Sequence, residues 1–370
     1  MTSERLLSIV RCPDCGGTLT TPSSVGASAA SPVDVGLACQ GCGRLFANGH
    51  GGFLDLRPAA AFRETTKYVD EALHADWRHQ TVSPPLLSAA IRNDMLRAML
   101  APTSADRIVD LGCGSGRVLV WNRDWGAYQV GVDVSPYFAH QAIAQVDLIL
   151  GDLRKLPMAE GSFTKAFSLD VAEHLSREGL VAMLTEARRV LAAGGGLFLY
   201  THARKNSPLA RGLWAVNRIA NGLERLGLLS LEQERLRKSD HINPLADIDD
   251  LRQVAAQAGF RVACLRYYTP LVGAVVENLI VRLAESALAR RAARRLRAPG
   301  ARHSDQDLTP LRAARLEAKQ RIERRGPSYA VLRALTWLMK LDILLFSRIE
   351  SGPFFALLIA EESQRGSALA

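Results

Sequence analysis

A glycine-rich turn constrains the fold of this chain more than any other feature. The run DLGCGSG at residues 110–116 closes a short apolar stretch and opens a helical one. Glycines let the backbone turn sharply and approach a ligand that a Cβ atom would repel. The helix that follows offers unpaired N–H groups at its first turn. This pattern predicts a strand, a tight turn and a helix that together form a ligand-binding corner.

Short apolar stretches and helical stretches then alternate along the chain. Such alternation is typical of a parallel sheet with helices on both faces. We therefore predict an α/β fold with a doubly wound, seven-stranded, mostly parallel sheet. The predicted strands are residues 107–112, 128–135, 146–151, 163–170, 195–201, 260–268 and 354–362.

Acidic residues lie at the ends of four successive predicted strands: Asp110, Asp133, Asp152 and Asp170. Ligands of such sheets bind at the carboxyl ends of the strands. An acid after the second strand can accept hydrogen bonds from ribose hydroxyls, and one after the third from an adenine amino group. A nicotinamide site would need a third glycine where Arg117 stands, so the spacing disfavours that cofactor.

Four of the six cysteines form two Cys-x-x-Cys pairs near the N-terminus. Four thiolates fill a tetrahedral zinc site and leave no open position, which predicts a structural ion. A redox pair or four unrelated buried cysteines are the alternatives. The predicted ligands are Cys12, Cys15, Cys39 and Cys42.

The net charge of +9 is concentrated in one segment. Residues 282–333 contain fourteen Lys or Arg and five Asp or Glu, and apolar stretches flank them. Three interpretations stay open: a solvated helical cap, a cap that contacts an anionic membrane, and an RNA-binding surface. RNA is the less favoured partner because residues 284–325 contain no Phe, Tyr or Trp for base stacking.

The sequence divides into four predicted units. These are a zinc ribbon (1–58), a core (59–268) with an insertion at 203–240, a basic helical insertion or cap (269–350), and a last strand with a tail (351–370). We find neither a secretory signal nor an apolar run of 18 residues. We therefore expect a cytoplasmic protein, with peripheral contact at the inner face of the membrane as an alternative.

Residues 106–201 resemble the core of class I S-adenosylmethionine-dependent methyltransferases of the type 11 group, which have a Rossmann-like fold. The ribbon is similar to those fused to some bacterial methyltransferases. The resemblance implies that Asp110 and the glycine turn hold the methionine part of the cofactor. It also implies ribose contacts from Asp133, adenine contacts from Asp152 and an ammonium site near Asp170. The full set of implied cofactor residues is Asp110, Gly112, Gly114, Gly116, Asp133, Val134, Asp152, Leu153 and Asp170.

The expected reaction is methylation of a hydroxyl on a small-molecule, glycan or lipid-linked acceptor, which needs a base for the hydroxyl proton. His174 is the first candidate, His241 the second and His202 the third. Tyr68 and Trp77 could cover the sulfonium, although core packing is their other interpretation. A tRNA or rRNA base methyltransferase and a non-catalytic scaffold are the alternative functions. The expected cofactors are S-adenosylmethionine and structural zinc.

Overall fold

The computed structural model describes residues 3–21, 35–47, 52–59, 82–205, 207–231, 235, 241–296 and 326–361. The described part of residues 3–59, called here the cysteine module, starts with helix α1 (Glu4–Ile9), which Ser3 caps through its hydroxyl. Three short strands follow and form an antiparallel sheet in the order β1-β2-β3. They are β1 (Leu19–Thr20), β2 (Val35–Cys39) and β3 (Leu45–Ala47).

The main sheet has eight strands in the order β10-β11-β9-β8-β5-β6-β7-β4. Strand β11 runs antiparallel to both of its neighbours, and the remaining pairs are parallel. The strands are β4 (Leu54–Asp55), β5 (Arg107–Leu111), β6 (Tyr128–Asp133), β7 (Asp147–Leu150), β8 (Phe163–Leu169), β9 (Leu191–His202), β10 (Phe260–Tyr267) and β11 (Pro353–Ala360). The predicted mostly parallel α/β fold is confirmed, and all seven predicted strands are present. Strand β4 is an eighth, which the sequence analysis missed because it has only two residues.

Alternating side chains of the strands point into two separate cores, one on each face of the sheet. Val109 belongs to one core and Ile108 to the other. Two helices, α5 and α7, cover the first core, and α2 and α3 cover the second. The helices of the sheet region are α2 (Ser88–Leu100), α3 (Arg117–Trp121), α4 (His140–Ile143), α5 (Arg177–Val190), α6 (Ala210–Arg225) and α7 (Ile248–Gln257).

The cysteine module is joined to one end of the main sheet. Strand β4 pairs in parallel with β7, and the backbone N–H of Ala159 donates to the Ile9 carbonyl at 2.8 Å. Leu6, Phe46 and Leu56 are buried in the same core as α5 and α7. Because module and sheet share hydrogen bonds and buried apolar area, the stability of one depends on the other.

Helices between β10 and β11 form the helical cap, defined as residues 271–296 and 326–346. It contains α8 (Leu271–Ala274), a π-helical segment (Val275–Val281), α9 (Arg282–Leu296), α10 (Pro327–Met339) and α11 (Leu341–Phe346). The buried Asp342 carboxylate accepts hydrogen bonds from the backbone N–H groups of Val272 and Gly273, which ties α11 to α8. Across the described ranges, we find no helix long and apolar enough to cross a membrane.

Candidate functional site

The glycine turn between β5 and α3 depends on its glycines for different reasons. Gly112 has a φ of +85°, and a Cβ there would lie 2.3 Å from Cγ2 of Val171. Gly116 has a φ of +77°, and a Cβ there would lie 2.7 Å from Cβ of Ala142. At Gly114, with a φ of +53°, a Cβ would meet no atom of the described residues within 4 Å. The two outer glycines therefore pack against protein, whereas the middle one borders space that the described residues leave open.

Asp133, at the end of β6, binds the glycine turn directly. Its Oδ2 accepts a hydrogen bond from the Gly114 N–H at 2.7 Å, and its Oδ1 accepts one from the Ser135 N–H at 2.8 Å. Asp133 therefore fixes the open side of the turn. Its neighbour Val134 follows the strand and is half-buried.

Asp110 lies behind the turn in β5 and is 2% exposed. Burial, and then the nearby charge of Asp133, raise the pKa of Asp110 well above its usual range. The structure therefore brings Asp110, Asp133 and the three glycines together at the carboxyl end of β5 and β6.

Asp152 follows β7 and is engaged by Arg154. The Arg154 backbone N–H and side-chain Nε both donate to Oδ1 at 2.9 Å, and Nη2 donates to Oδ2 at 2.9 Å. Leu153 packs against the core beside it. An adenine amino group would share this carboxylate with a guanidinium, which the sequence did not indicate.

Asp170 follows β8 with a φ of +56°, in the left-handed region that most residues avoid. Its Oδ2 accepts from Nη1 of Arg92 at 2.5 Å, and the Arg92 guanidinium also lies over the Tyr200 ring, 5.4 Å from the centroid. Burial acts to lower the pKa of Arg92, but Asp170 together with Tyr200, Glu277 and Tyr268 raises it. Sequence reasoning missed Arg92, because it lies far from Asp170 along the chain.

The three candidate histidines come together at the carboxyl ends of β8 and β9. The rings of His174 and His241 meet edge to face with centroids 4.8 Å apart, and His202 and His241 have centroids 6.0 Å apart. Glu173 lies between them, 1% exposed. We call Glu173, His174, His202 and His241 the histidine cluster. The sequence analysis named the three histidines as separate candidate bases, but it did not predict that they lie close together.

Glu173 holds the histidine cluster together. Thr201 Oγ1 donates to Glu173 Oε2 at 2.9 Å, and Nδ1 of His202 lies 3.4 Å from Glu173 Oε1. The Glu173 carbonyl accepts from the backbone N–H groups of Ile242 and Asn243 at 2.8 and 3.0 Å. Burial acts to raise the pKa of Glu173, but His202, a backbone hydrogen bond and Thr201 together lower it below its ordinary value.

The four predicted metal ligands also come together, in the cysteine module. The sulfur atoms of Cys12, Cys15, Cys39 and Cys42 all lie within 4.8 Å of one another. Cys15 and Cys39 are 3.4 Å apart, and Cys12 and Cys42 are 3.8 Å apart, against roughly 3.8 Å expected for a tetrahedral ion with about 2.3 Å bonds. Hydrogen bonds from the Cys42 and Gly41 backbone help lower the pKa of the Cys39 thiol to about 6. This donor set fits a zinc ion.

Tyr68 and Trp77 lie outside the described residues. So does most of the basic segment, of which the structure describes residues 282–296 and 326–333. Within it, the guanidinium of Arg290 donates to the carbonyls of Gly227 and Leu228 at 2.9 and 2.8 Å, just beyond α6. Arg290 therefore ties the cap to the segment after α6.

Comparison with known proteins supports the interpretation of the glycine turn. The sequence model of the methyltransferase domain family matches residues 109–199. This range includes the glycine turn, Asp133 and two residues of the histidine cluster, Glu173 and His174. The tRNA U34 carboxymethyltransferase of Saccharophagus degradans is 31% identical over 143 residues, 36% of this chain and 39% of the relative. The 18S rRNA (guanine-N(7))-methyltransferase of Bos taurus is 35% identical over 72 residues, 18% of this chain and 26% of the relative.

The chain spans less than half the length of either curated relative. Among solved structures, the phosphoethanolamine N-methyltransferase 2 of Haemonchus contortus in complex with S-adenosyl-L-methionine aligns with a TM-score of 0.44 and 16% identity. That alignment covers 81% of this chain and 59% of the other. From the match over residues 109–199, this chain carries a domain of the methyltransferase domain family.

Proposed function

We propose that this protein is an S-adenosylmethionine-dependent methyltransferase that methylates a hydroxyl group on a small-molecule, glycan or lipid-linked acceptor. One observation carries the proposal. Val171 packs against Gly112 of the glycine turn and lies two residues before Glu173 of the histidine cluster. A cofactor corner and a cluster of proton-accepting groups therefore adjoin at the same edge of the sheet.

The residues of the glycine turn fit the cofactor. The open side of Gly114 leaves space beside the backbone, and Asp133 presents a carboxylate there that can accept ribose hydroxyls. We assign the methionine part to Asp110 and the three glycines, the adenine to Asp152 and Leu153, and the ammonium to the backbone near Asp170. When bound, the cofactor supplies a methyl group already activated on a sulfonium.

The protein's own task is alignment and proton removal. Holding the acceptor oxygen in line with the methyl group replaces a bimolecular encounter with a fixed geometry. The hydroxyl proton leaves to a group of the histidine cluster, with His174 as the first candidate because the turn that carries it adjoins the cofactor corner. A positioned base contributes ~10²–10⁴-fold to such a reaction.

The helical cap and α6 favour an apolar acceptor. Trp214 is 61% exposed, Trp337 71% and Leu344 77%. Large apolar side chains exposed on these helices offer surface that can contact another apolar body. Together with the basic charge of α9, they favour a lipid-linked acceptor reached from an anionic membrane surface at the cytoplasmic side.

In the cysteine module, we propose one structural zinc ion held by Cys12, Cys15, Cys39 and Cys42. The four thiolates leave no position for a substrate. The module contributes to the fold through β4 and the shared core rather than to the chemistry.

The test is transfer of a labelled methyl group from S-adenosylmethionine, with membrane lipids, polar small molecules and structured RNA offered separately. We expect label in the lipid or small-molecule fraction with wild type and with His140→Ala, whose side chain is exposed and lies outside the cluster. The His174→Ala variant should transfer little label to any fraction. Label that enters only RNA would contradict the proposed acceptor class, and no transfer to any fraction would contradict the activity.

A further inference from the structure

The histidine cluster contains a buried carboxyl oxygen that the described residues leave without a hydrogen bond. Glu173 is 1% exposed, and its Oε1 has no hydrogen-bond partner among the residues that the structure describes. Nδ1 of His202 lies 3.4 Å away without hydrogen-bond alignment. A carboxyl oxygen buried in this way is unfavourable unless a cation or a donor binds it.

Two imidazoles approach the same carboxylate. A carboxylate oxygen of Glu173 and one ring nitrogen each of His174 and His241 all lie within 4.8 Å of one another. Nitrogen and oxygen donors in a two-histidine, one-carboxylate set are typical of divalent transition metals. Three protein ligands also leave a coordination position open, which distinguishes catalytic from structural sites.

The backbone fixes these ligands relative to one another. Ile242 and Asn243 both donate to the Glu173 carbonyl, so the segment that carries His241 is bound to the turn that carries Glu173 and His174. Asn243 adopts a φ of +49° to do so. Thr201 orients the Glu173 carboxylate from β9. Such supporting hydrogen bonds are a regular feature of metal ligands.

We propose that Glu173, His174 and His241 bind a divalent transition-metal cation in the histidine cluster, beside the position proposed for the acceptor. The role of the cation rests on the proposed function: it would hold the acceptor oxygen and lower the pKa of the hydroxyl that it contacts, whose proton would then leave to water, since His174 and His241 are both ligands. His202 is a positioning residue, since it faces the same carboxylate from β9. The cation would give Glu173 Oε1 the partner that the described residues do not provide.

The test is Mn²⁺ binding to the full, zinc-replete chain, followed by electron paramagnetic resonance. Mn²⁺ suits this test because it favours a carboxylate ligand such as Glu173, whereas the thiolates of the cysteine module select zinc. We expect one bound Mn²⁺ per chain, with ¹⁴N couplings from imidazole in the pulsed spectrum of wild type. Glu173→Gln and His241→Ala should each weaken Mn²⁺ affinity at least ~10-fold, and the control His140→Ala should not.

The electron paramagnetic resonance spectrum of the wild-type protein tests the metal site even if a variant does not fold. Wild-type protein that binds S-adenosylmethionine but takes up no Mn²⁺, or takes it up without ¹⁴N couplings, overturns the metal site. Every metal except the zinc of the cysteine module can be removed before the assay. If methyl transfer then persists, the proposed role of the cation in the reaction is overturned and the proposed function stays intact. Mn²⁺ bound with ¹⁴N couplings supports the site even if no acceptor is ever methylated, which would contradict the proposed function alone.

Discussion

Two clusters in this protein gather metal-binding side chains, and they differ in donor, in assembly and in surroundings. The cysteine cluster has four cysteines from two short turns in one small module. The histidine cluster takes its groups from the turn after β8, from the end of β9 and from the segment before α7, at the edge where sheets of this kind bind ligands. Four cysteines would close a tetrahedral site, whereas three ligands in the histidine cluster would leave a coordination position open.

Because of this difference, we expect the cysteine cluster to contribute to folding stability and the histidine cluster to catalysis. A site with four protein ligands can only hold its ion, so its contribution is to folding. A site with imidazoles and a buried carboxylate beside a cofactor corner can bind and deprotonate an acceptor. The first cluster should therefore respond to substitution through unfolding, and the second through turnover.

The largest effect should come from the cysteine cluster. Cys12→Ser should abolish zinc binding and remove folding free energy on the order of 10 kcal/mol from the cysteine module. Because the module shares β4 and a core with the main sheet, thermal unfolding of the whole protein should shift downward as well. Metal analysis and calorimetry check this, with Cys264→Ser on β10 as the control. Zinc retained by the variant, or absent from wild type, would contradict the assignment.

The next largest effect should come from the histidine cluster. His174→Ala should lower methyl-transfer turnover by ~10²-fold or more and leave cofactor affinity nearly unchanged, because the ring acts on the acceptor. Steady-state rates and calorimetric titration of the cofactor measure the two quantities separately. Turnover near that of wild type would transfer the role to His241, whose ring contacts that of His174.

A smaller effect is expected at Asp133. Asp133→Ala should weaken S-adenosylmethionine binding by ~2 kcal/mol, since two hydrogen bonds to a charged acceptor are lost. The matched control is Asp249→Ala, because that carboxylate is 84% exposed on α7. Equal affinities in wild type and Asp133→Ala would refute the ribose assignment.

The smallest effect concerns the helical cap. Arg291 is exposed on α9, and Arg291→Ala should weaken co-sedimentation with anionic liposomes by about 1 kcal/mol. Trp337→Ala should weaken it too, because the exposed indole would lose its contact with lipid. Neutral liposomes serve as the reference. Salt-sensitive binding to structured RNA without any binding to liposomes would reverse the assignment of the partner.

The fold around the glycine turn could be predicted from the sequence because its signals are local. The glycine turn and the acid at the end of β6 are each read within a few residues, and the fold brings the ends of parallel strands together. The two Cys-x-x-Cys pairs are local signals of the same kind. Strand β4 was missed because two residues show no periodicity.

The arrangement of the histidine cluster could not be predicted from the sequence to the same extent. His174 and His241 are far apart along the chain, and the hydrogen bonds of Ile242 and Asn243 to the Glu173 carbonyl help to bring them together. Arg92 pairs with Asp170 from α2, another contact between distant segments. No spacing rule marks such pairs, since they depend on how the helices pack against the sheet.

Calorimetric titration of the full wild-type chain with S-adenosylmethionine tests the central claim most directly. The account predicts one binding site per chain, with competition from S-adenosylhomocysteine, because both share the ribose, the adenine and the amino acid part that the glycine turn and its acids would hold. Folded, zinc-replete protein that binds neither molecule would contradict the claim that this edge of the sheet is a methyltransferase site.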